Sequence, residues 1–325
     1  MVGGALHPMT CAASAGQRPP QYGELIEVGS TPGWVELSQT PKGVYILALR
    51  AEADPENRWL WPFTQAIHKA FDAIERHLED HVDSPAALLT VSESDKFFSN
   101  GIDPDGSYSK RINLQPGPKN DMIEGNFLTM PAFSRPLQLP IPTVAAVNGH
   151  AFGAGLMFAA CHDYRLQRED RGFMCAVEME IGVGIPPPEM EIFRHVLPLP
   201  AFYETVLGCK RWGAADSLRA GLIVKASPAE RLFADALAYA ETQAKLVVGE
   251  RKRKLFMHMK DKVKGQVQRM VMDHTFPGGN FPDALAKNQE FVQQVKERYP
   301  YLMRHIGEVI EEVPVIPPRK PKAKL

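Results

Sequence analysis

Short apolar runs punctuated by glycine and proline open the patterned part of the chain. GELIEVG (23–29), GWVELSQ (33–39) and GVYILALR (43–50) each have the length and apolar content of a strand. The period then changes. Within residues 61–82, Ile67, Phe71, Ile74 and Leu78 recur at spacings of four, three and four, which is one face of a helix. AALLTVS (86–92) returns to a short buried strand, and ESDKFFSNGIDP (93–104) reads as a loop. Strand, helix, strand in this order predicts a parallel crossover unit, hence an α/β fold.

Residues 104–120 carry Gly, Pro and Ser without periodicity and predict a mobile surface loop. A helix is expected within 121–137, and strands at PTVAAVN (142–148), DYRLQRED (163–170) and GFMCAVE (172–178). After the prolines at 186–188 the pattern turns helical, over 189–196, 200–207 and 213–220. GLIVKAS (221–227) is a short strand before a long helix at 228–248. Two more helices are predicted at 250–274 and 281–313, separated by the breaker FPGGNFP. The stripe containing Phe233, Leu237 and Leu246 reads as core or subunit contact. The pattern divides the chain into a disordered extension (1–20), an α/β core (21–225), a helical region (226–275), and an extra helix with an exposed basic tail (276–325).

Composition narrows the function classes. With 44% hydrophobic and 23% charged residues, 325 residues can bury a sizeable core. A formal net charge of −1 provides no basic field for nucleic acid. Cys11, Cys161, Cys175 and Cys209 show no CxxC or Cys/His spacing, so they read as reduced thiols of an intracellular protein, and no metal is expected. No apolar run has the length of a membrane span. The first 20 residues lack a basic region followed by an apolar stretch, which argues against a secretory signal.

The chemistry concentrates in NGHAFGAGLM (148–157). It matches neither GxxxxGK[ST] nor a strand-following GxGxxG. What remains is a strand, a glycine turn and a helix start, where the N–H groups of Ala154 and Gly155 can face an anionic oxygen without any charged side chain. Taken alone, Gly153 and Gly155 are better read as glycines that let a strand pack tightly on a helix. A second loop changes that balance: FFSNGID (97–103) places Gly101 after a short strand, so that the Ile102 N–H can face the same pocket. Two backbone donors converging on one carbonyl oxygen form an oxyanion hole.

FFSNGID, PTVAAVNGHAFGAGLMFAACHDY and AVEMEIGVGIP, in that order and spacing, resemble the crotonase (enoyl-CoA hydratase/isomerase) superfamily over about residues 22–275. CHDYRLQREDRGFMCAVE is similar to the peroxisomal and plant delta(3)-delta(2)-enoyl-CoA isomerases within it. The resemblance implies a spiral of ββα units, with residues 21–225 as its core, a homotrimer and an acyl-CoA substrate. It also implies no cofactor beyond the CoA of the substrate. Carried over, the oxyanion donors are Ile102 and Ala154, with Gly101 and Gly153 lining the pocket.

Hydratases of the superfamily carry one glutamate where this chain has Met157 and another where it has Glu178. Adding water needs two acid/base groups; moving a double bond needs one base that takes a proton at C2 and returns it at C4. Met157 in place of the first carboxylate therefore implies an isomerase of fatty acid β-oxidation, with Glu178 as the catalytic proton shuttle. Glu178 lies at the end of a short apolar strand, where burial raises a carboxyl pKa.

Other readings stay open. A hydratase or dienoyl-CoA isomerase would need Glu180 or Glu191 as a second acid, and a non-catalytic binding protein could share the fold. Glu189 and Glu191 read as helix-start residues favoured by the dipole. His150 reads as structural, and Asp163 as holding the turn after its helix. Lys96 aligns with a CoA-contacting position of several relatives, and ERKRK (250–254) reads as a solvated helix face. The final Ala323-Lys324-Leu325 differs by one small residue from the SKL signal, which implies a peroxisomal import receptor as partner. A cytoplasmic location is the alternative.

Overall fold

The computed structural model describes residues 22–28, 33–114, 129–275 and 289–302. β1 (Glu24–Leu25), β2 (Val35–Gln39) and β3 (Val44–Leu49) form an antiparallel edge. β3 then pairs in parallel with β4 (Ala87–Ser92), which is followed across the sheet by β6 (Thr143–Val147), β8 (Tyr164–Arg168) and β10 (Lys225–Ser227). A second, parallel sheet holds β5 (Phe97–Ser99), β7 (His150–Phe152) and β9 (Met174–Cys175). The chain visits the large sheet and then the small one three times in succession, as β4–β5, β6–β7 and β8–β9. It thereby winds into a spiral.

The continuous apolar run of β3 follows from burial on both faces. Tyr45, Leu47 and Leu49 enter a core shared with α1 (Trp61–Asp80), whose predicted face of Ile67, Phe71, Ile74 and Leu78 is buried throughout. Val44, Ile46 and Ala48 point the other way, against Leu232, Ala236, Ala240 and Ala244 of a later helix, Leu232–Ala244. Alanines four apart let that helix lie close to the sheet. Each large side chain removed from water here contributes about 1.5–3 kcal/mol.

The other described α-helices before Leu232–Ala244 in the chain are α2 (Ser107–Arg111), α3 (Thr129–Ser134), α4 (Ala154–Cys161), α5 (Glu178–Ile181), α6 (Pro187–Val196), α7 (Leu199–Val206) and α8 (Ala214–Arg219). The helix at Leu232–Ala244 is α9, and α10 (Glu250–Thr275) and α11 (Gln289–Arg298) complete the described chain. α11 is the described part of the extra helix expected at 281–313. It is followed by Tyr299, whose ring lies 4.6 Å from that of His68 on α1, and Val295, Tyr299 and Leu302 are buried.

Several expectations need correction. The segment read as a loop at 93–104 contains β5, because Phe97, Phe98 and Ser99 are buried and the first and last of them pair with β7. The stretch at 104–120 contains α2, which Asp103 starts by accepting from the Tyr108 and Ser109 N–H groups. GFMCAVE is a strand only at Met174–Cys175, so Glu178 opens a helical turn rather than ending a strand. In ERKRK, Arg253 is buried and donates to the carbonyls of Leu78, His81 and Ser84 at the end of α1. The expectations for residues 1–20 and for the tail lie outside the described residues.

Candidate active site

The turn after β5 is fixed by its backbone. Gly101 has φ +75°, and a Cβ there would stand 2.7 Å from the Phe152 carbonyl oxygen and 3.5 Å from the Ala154 nitrogen. Glycine meets both demands, the left-handed conformation and the close approach. The Gly101 carbonyl accepts from the Trp59 N–H at 2.9 Å. Carbonyl and N–H of a trans peptide point opposite ways, so the Ile102 N–H is directed away from Trp59. Arg58 Nη1 donates to the Ile102 carbonyl at 2.8 Å and holds the next peptide as well.

The second donor comes from the next turn of the spiral. α4 begins at Ala154, after Gly153 with φ 54° and ψ −121°. The Gly153 carbonyl accepts from the Met157 N–H at 3.0 Å along the helix, so the Ala154 N–H of the same peptide points out of the helix start. Gly155 lies so near β5 that a Cβ would come 2.2 Å from the Ser99 carbonyl oxygen. This contact presses the two segments together. Among the described residues, neither the Ile102 nor the Ala154 N–H has a backbone acceptor.

Gly101, Ile102, Gly153, Ala154, Met157 and Glu178 all line one cavity of about 1480 Å³. Glu178 is 8% exposed, and its Oε1 lies 3.0 Å from the position a Gly153 Cβ would take. Its Oε2 is buried with no hydrogen-bond partner. Burial raises its pKa, opposed by its own backbone N–H. Met157 is buried and supplies an apolar wall.

The other candidates separate. Glu180 lines the rim but is exposed and held by both Arg211 nitrogens at 2.6 and 2.7 Å, which lowers its pKa. Glu191 pairs with Arg194 at 2.9 Å and is not part of the cavity lining. Lys96 is likewise absent from the lining; its Nζ sits 5.0 Å from the Phe97 ring centre. The cations that do line the cavity are Arg58, Lys110 and Arg111, the two guanidinium groups lying 4.5 and 4.6 Å from the Tyr108 ring centre. His150 accepts from the Phe173 N–H and packs on Phe97, Phe152 and Phe173, a structural role. Asp163 bonds both Thr143 groups and two lysines, Lys260 and Lys264, across the start of β6.

Glu189 is the site residue that sequence reasoning assigned to the helix dipole alone. It lines the cavity at 6% exposure, with Oε2 buried and unpartnered. Burial pushes its pKa up to about 7, with the Glu178 charge adding to the rise. A signal was present: Glu189 shares the face of Ile192 and Phe193, three and four residues on, and both are buried.

The sequence profile of the enoyl-CoA hydratase/isomerase family matches residues 63–276. The chain belongs to the enoyl-CoA hydratase/isomerase family. Among curated relatives, the chain is 37% identical over 100 residues to enoyl-CoA delta isomerase 2, peroxisomal, of Arabidopsis thaliana. That match covers 31% of this chain and 41% of the relative, less than half its length. It is 29% identical over 235 residues to enoyl-CoA delta isomerase 1, peroxisomal, of the same plant, covering 71% of this chain and 89% of the relative. The fold is that of an enoyl-CoA isomerase from Mycobacterium tuberculosis solved in the apo form. The two share a TM-score of 0.62 and 20% identity over 79% of this chain and 99% of that one. An enoyl-CoA hydratase from Mycobacterium marinum gives 0.60 and 21% over 78% and 99%. The α/β spiral with its C-terminal helices is therefore the crotonase fold.

For a member of the enoyl-CoA hydratase/isomerase family, the arrangement is chemically specific. Two fixed N–H groups can hold an oxygen on which negative charge develops, and a buried carboxyl beside them can move a proton. Among the described residues no group of three or more His, Cys, Asp or Glu could hold a metal ion, and no helix is long and apolar enough to cross a membrane.

Proposed function

We propose that this chain shifts the double bond of a 3-enoyl-CoA to give the 2-enoyl-CoA, by single-glutamate proton transfer. The carrying observation is the Glu178 carboxyl, buried and without an ion pair among the described residues, in the cavity that Ile102, Ala154 and the apolar Met157 also line. Glu178 as carboxylate takes a proton from C2. The electron pair spreads over the double bond and onto the thioester oxygen, where each backbone donor contributes about 3 kcal/mol to transition-state stabilisation. Glu178 then returns a proton at C4. Arg58, Lys110 and Arg111 at the cavity suit the phosphates of CoA, and no other cofactor enters the scheme. The relatives' names, which carry the word peroxisomal, support a peroxisomal location, and a place in fatty acid β-oxidation is part of the proposal. A homotrimer, and import through Ala323-Lys324-Leu325, belong to the same proposal.

One observation favours a second reading: Glu189 gives the cavity a second buried carboxyl, as hydration requires. The test is an assay of wild type and Glu178→Gln with 3-enoyl-CoA and 2-enoyl-CoA. Isomerisation should fall at least about 10²-fold in the variant. Isomerisation that survives the substitution refutes the mechanism, and hydration of 2-enoyl-CoA faster than isomerisation selects the hydratase.

A further inference from the structure

Glu189 is poorly explained as a helix-start residue. The dipole of α6 favours a carboxylate at its first turn, yet this one is 6% exposed and turned into the cavity. Among the described residues it has no ion pair, whereas Glu191, two residues on, holds Arg194. Its Oε2 is buried without a partner, as is the Oε2 of Glu178, and both line the same cavity. The groups around it offer no compensating cation. Glu178 on α5 adds negative charge. Cys161 on α4 is buried, with its thiol pushed up to about 12 and so neutral. Lys260 and Lys264 on α10 are engaged by Asp163. Two acids facing one apolar space do not both ionise.

We propose that Glu189 is a second catalytic residue of the site, a neutral acid that competes with Glu178 to deliver the proton at C4. The inference rests on the isomerase reading and deepens it. Before reaction, Glu178 is the carboxylate and Glu189 carries a proton. Breaking the C2–H bond transfers that proton to Glu178 and leaves the electron pair on the dienolate. Both carboxyls are then neutral, and either can give its proton as the C4–H bond forms. When Glu189 gives, it becomes the carboxylate; once product leaves, Glu178 releases its hydron to water and Glu189 takes a proton from water, which restores the starting state. Protons and charge balance without any co-reactant besides water.

The experiment is the isomerisation, in ordinary water, of a 3-enoyl-CoA deuterated at C2, with the deuterium reaching C4 measured by mass spectrometry. A single shuttle carries the label across; a second donor dilutes it with the proton Glu189 held. Retention at C4 should rise about twofold in Glu189→Gln, as two interchangeable donors become one. Equal retention in wild type and Glu189→Gln overturns the proposal and leaves the Glu178 mechanism standing. Near-complete retention by wild type does the same, and needs no variant to fold. If wild type does not isomerise, or Glu178→Gln still does, the isomerase mechanism itself fails and this inference falls with it. The infrared band of a protonated buried carboxyl, titrating near 7 in wild type, gives an independent reading. Its absence counts against Glu189 as the proton holder.

Discussion

Gly101→Ala perturbs the oxyanion turn without touching any acid or base. The residue sits at φ +75°, where a side chain costs about 1–2 kcal/mol. Its new Cβ would stand 2.7 Å from the Phe152 carbonyl oxygen, a backbone atom held within the second sheet. Such overpacking costs about 1–3 kcal/mol more. The turn has a way to relieve both strains, which is to move away from β7, and in moving it carries the Ile102 N–H with it. The reasoning therefore predicts a modest loss of stability, about 1–3 kcal/mol after relaxation, with an unchanged denaturant slope. It predicts a larger catalytic loss, about 10²-fold in kcat, with KM for the acyl-CoA little altered. Urea denaturation and steady-state isomerisation of a 3-enoyl-CoA measure the two. A variant with wild-type kcat, or one whose whole defect lies in KM, refutes the assignment of Ile102 as an oxyanion donor.

Arg135 is fully buried, with Nη2 at 2.6 Å from Asp72 and 3.2 Å from Glu75. Arg135→Leu withdraws the guanidinium from both carboxylates and should cost about 3–5 kcal/mol in urea denaturation; a loss below about 1 kcal/mol contradicts this. Burial alone would raise the Asp163 pKa, but Lys260 and Lys264 hold it down to about 2 from 3.8. A folded pKa below the unfolded one adds stability, about 2 kcal/mol, that is present above pH 3.8 and lost as pH falls toward 2. In Asp163→Asn that part of the acid slope should disappear. Lys96→Ala should leave KM for a CoA ester unchanged while Arg111→Ala raises it, because Arg111 lines the cavity and Lys96 does not; the reverse order in steady-state assays would restore Lys96 as the CoA contact.

The centre of the large sheet was legible because β3, β4 and β6 are buried on both faces and read as apolar runs, and α1 because its face repeats cleanly. The turns that carry the two candidate backbone donors were legible through glycine placement, since Gly101 and Gly153 occupy conformations that few other residues adopt. The small sheet was obscured by length: β5, β7 and β9 have three, three and two residues, too few for a period. Glu178 was found by its motif but given the wrong local structure, because GFMCAVE ends its pairing at Cys175. Glu189 was missed because two physical arguments apply to a carboxylate after three prolines. The helix dipole explains its position along the helix, and only its face, shared with Ile192 and Phe193, explains its burial. Arg253 was hidden for a related reason: inside a run of cations, nothing marks the one whose target is the end of another helix.

The alternation of strands between the two sheets has a consequence for how such a site can change. The amides at 102 and 154 follow β5 and β7, which pair at Phe97 with His150 and, after a shift of register, at Ser99 with Ala151. In the proposed mechanism the place where charge accumulates is thus set by main-chain geometry, which depends on Gly101 and Gly153 and not on a charged side chain. The two carboxyls are attached differently, on residues near the starts of α5 and α6. A cavity organised this way has a constant electrophile and an interchangeable proton inventory. Under the proposed mechanism, exchanging a single residue such as Met157 or Glu189 would change the reaction while the scaffold and the amide pair stay as they are.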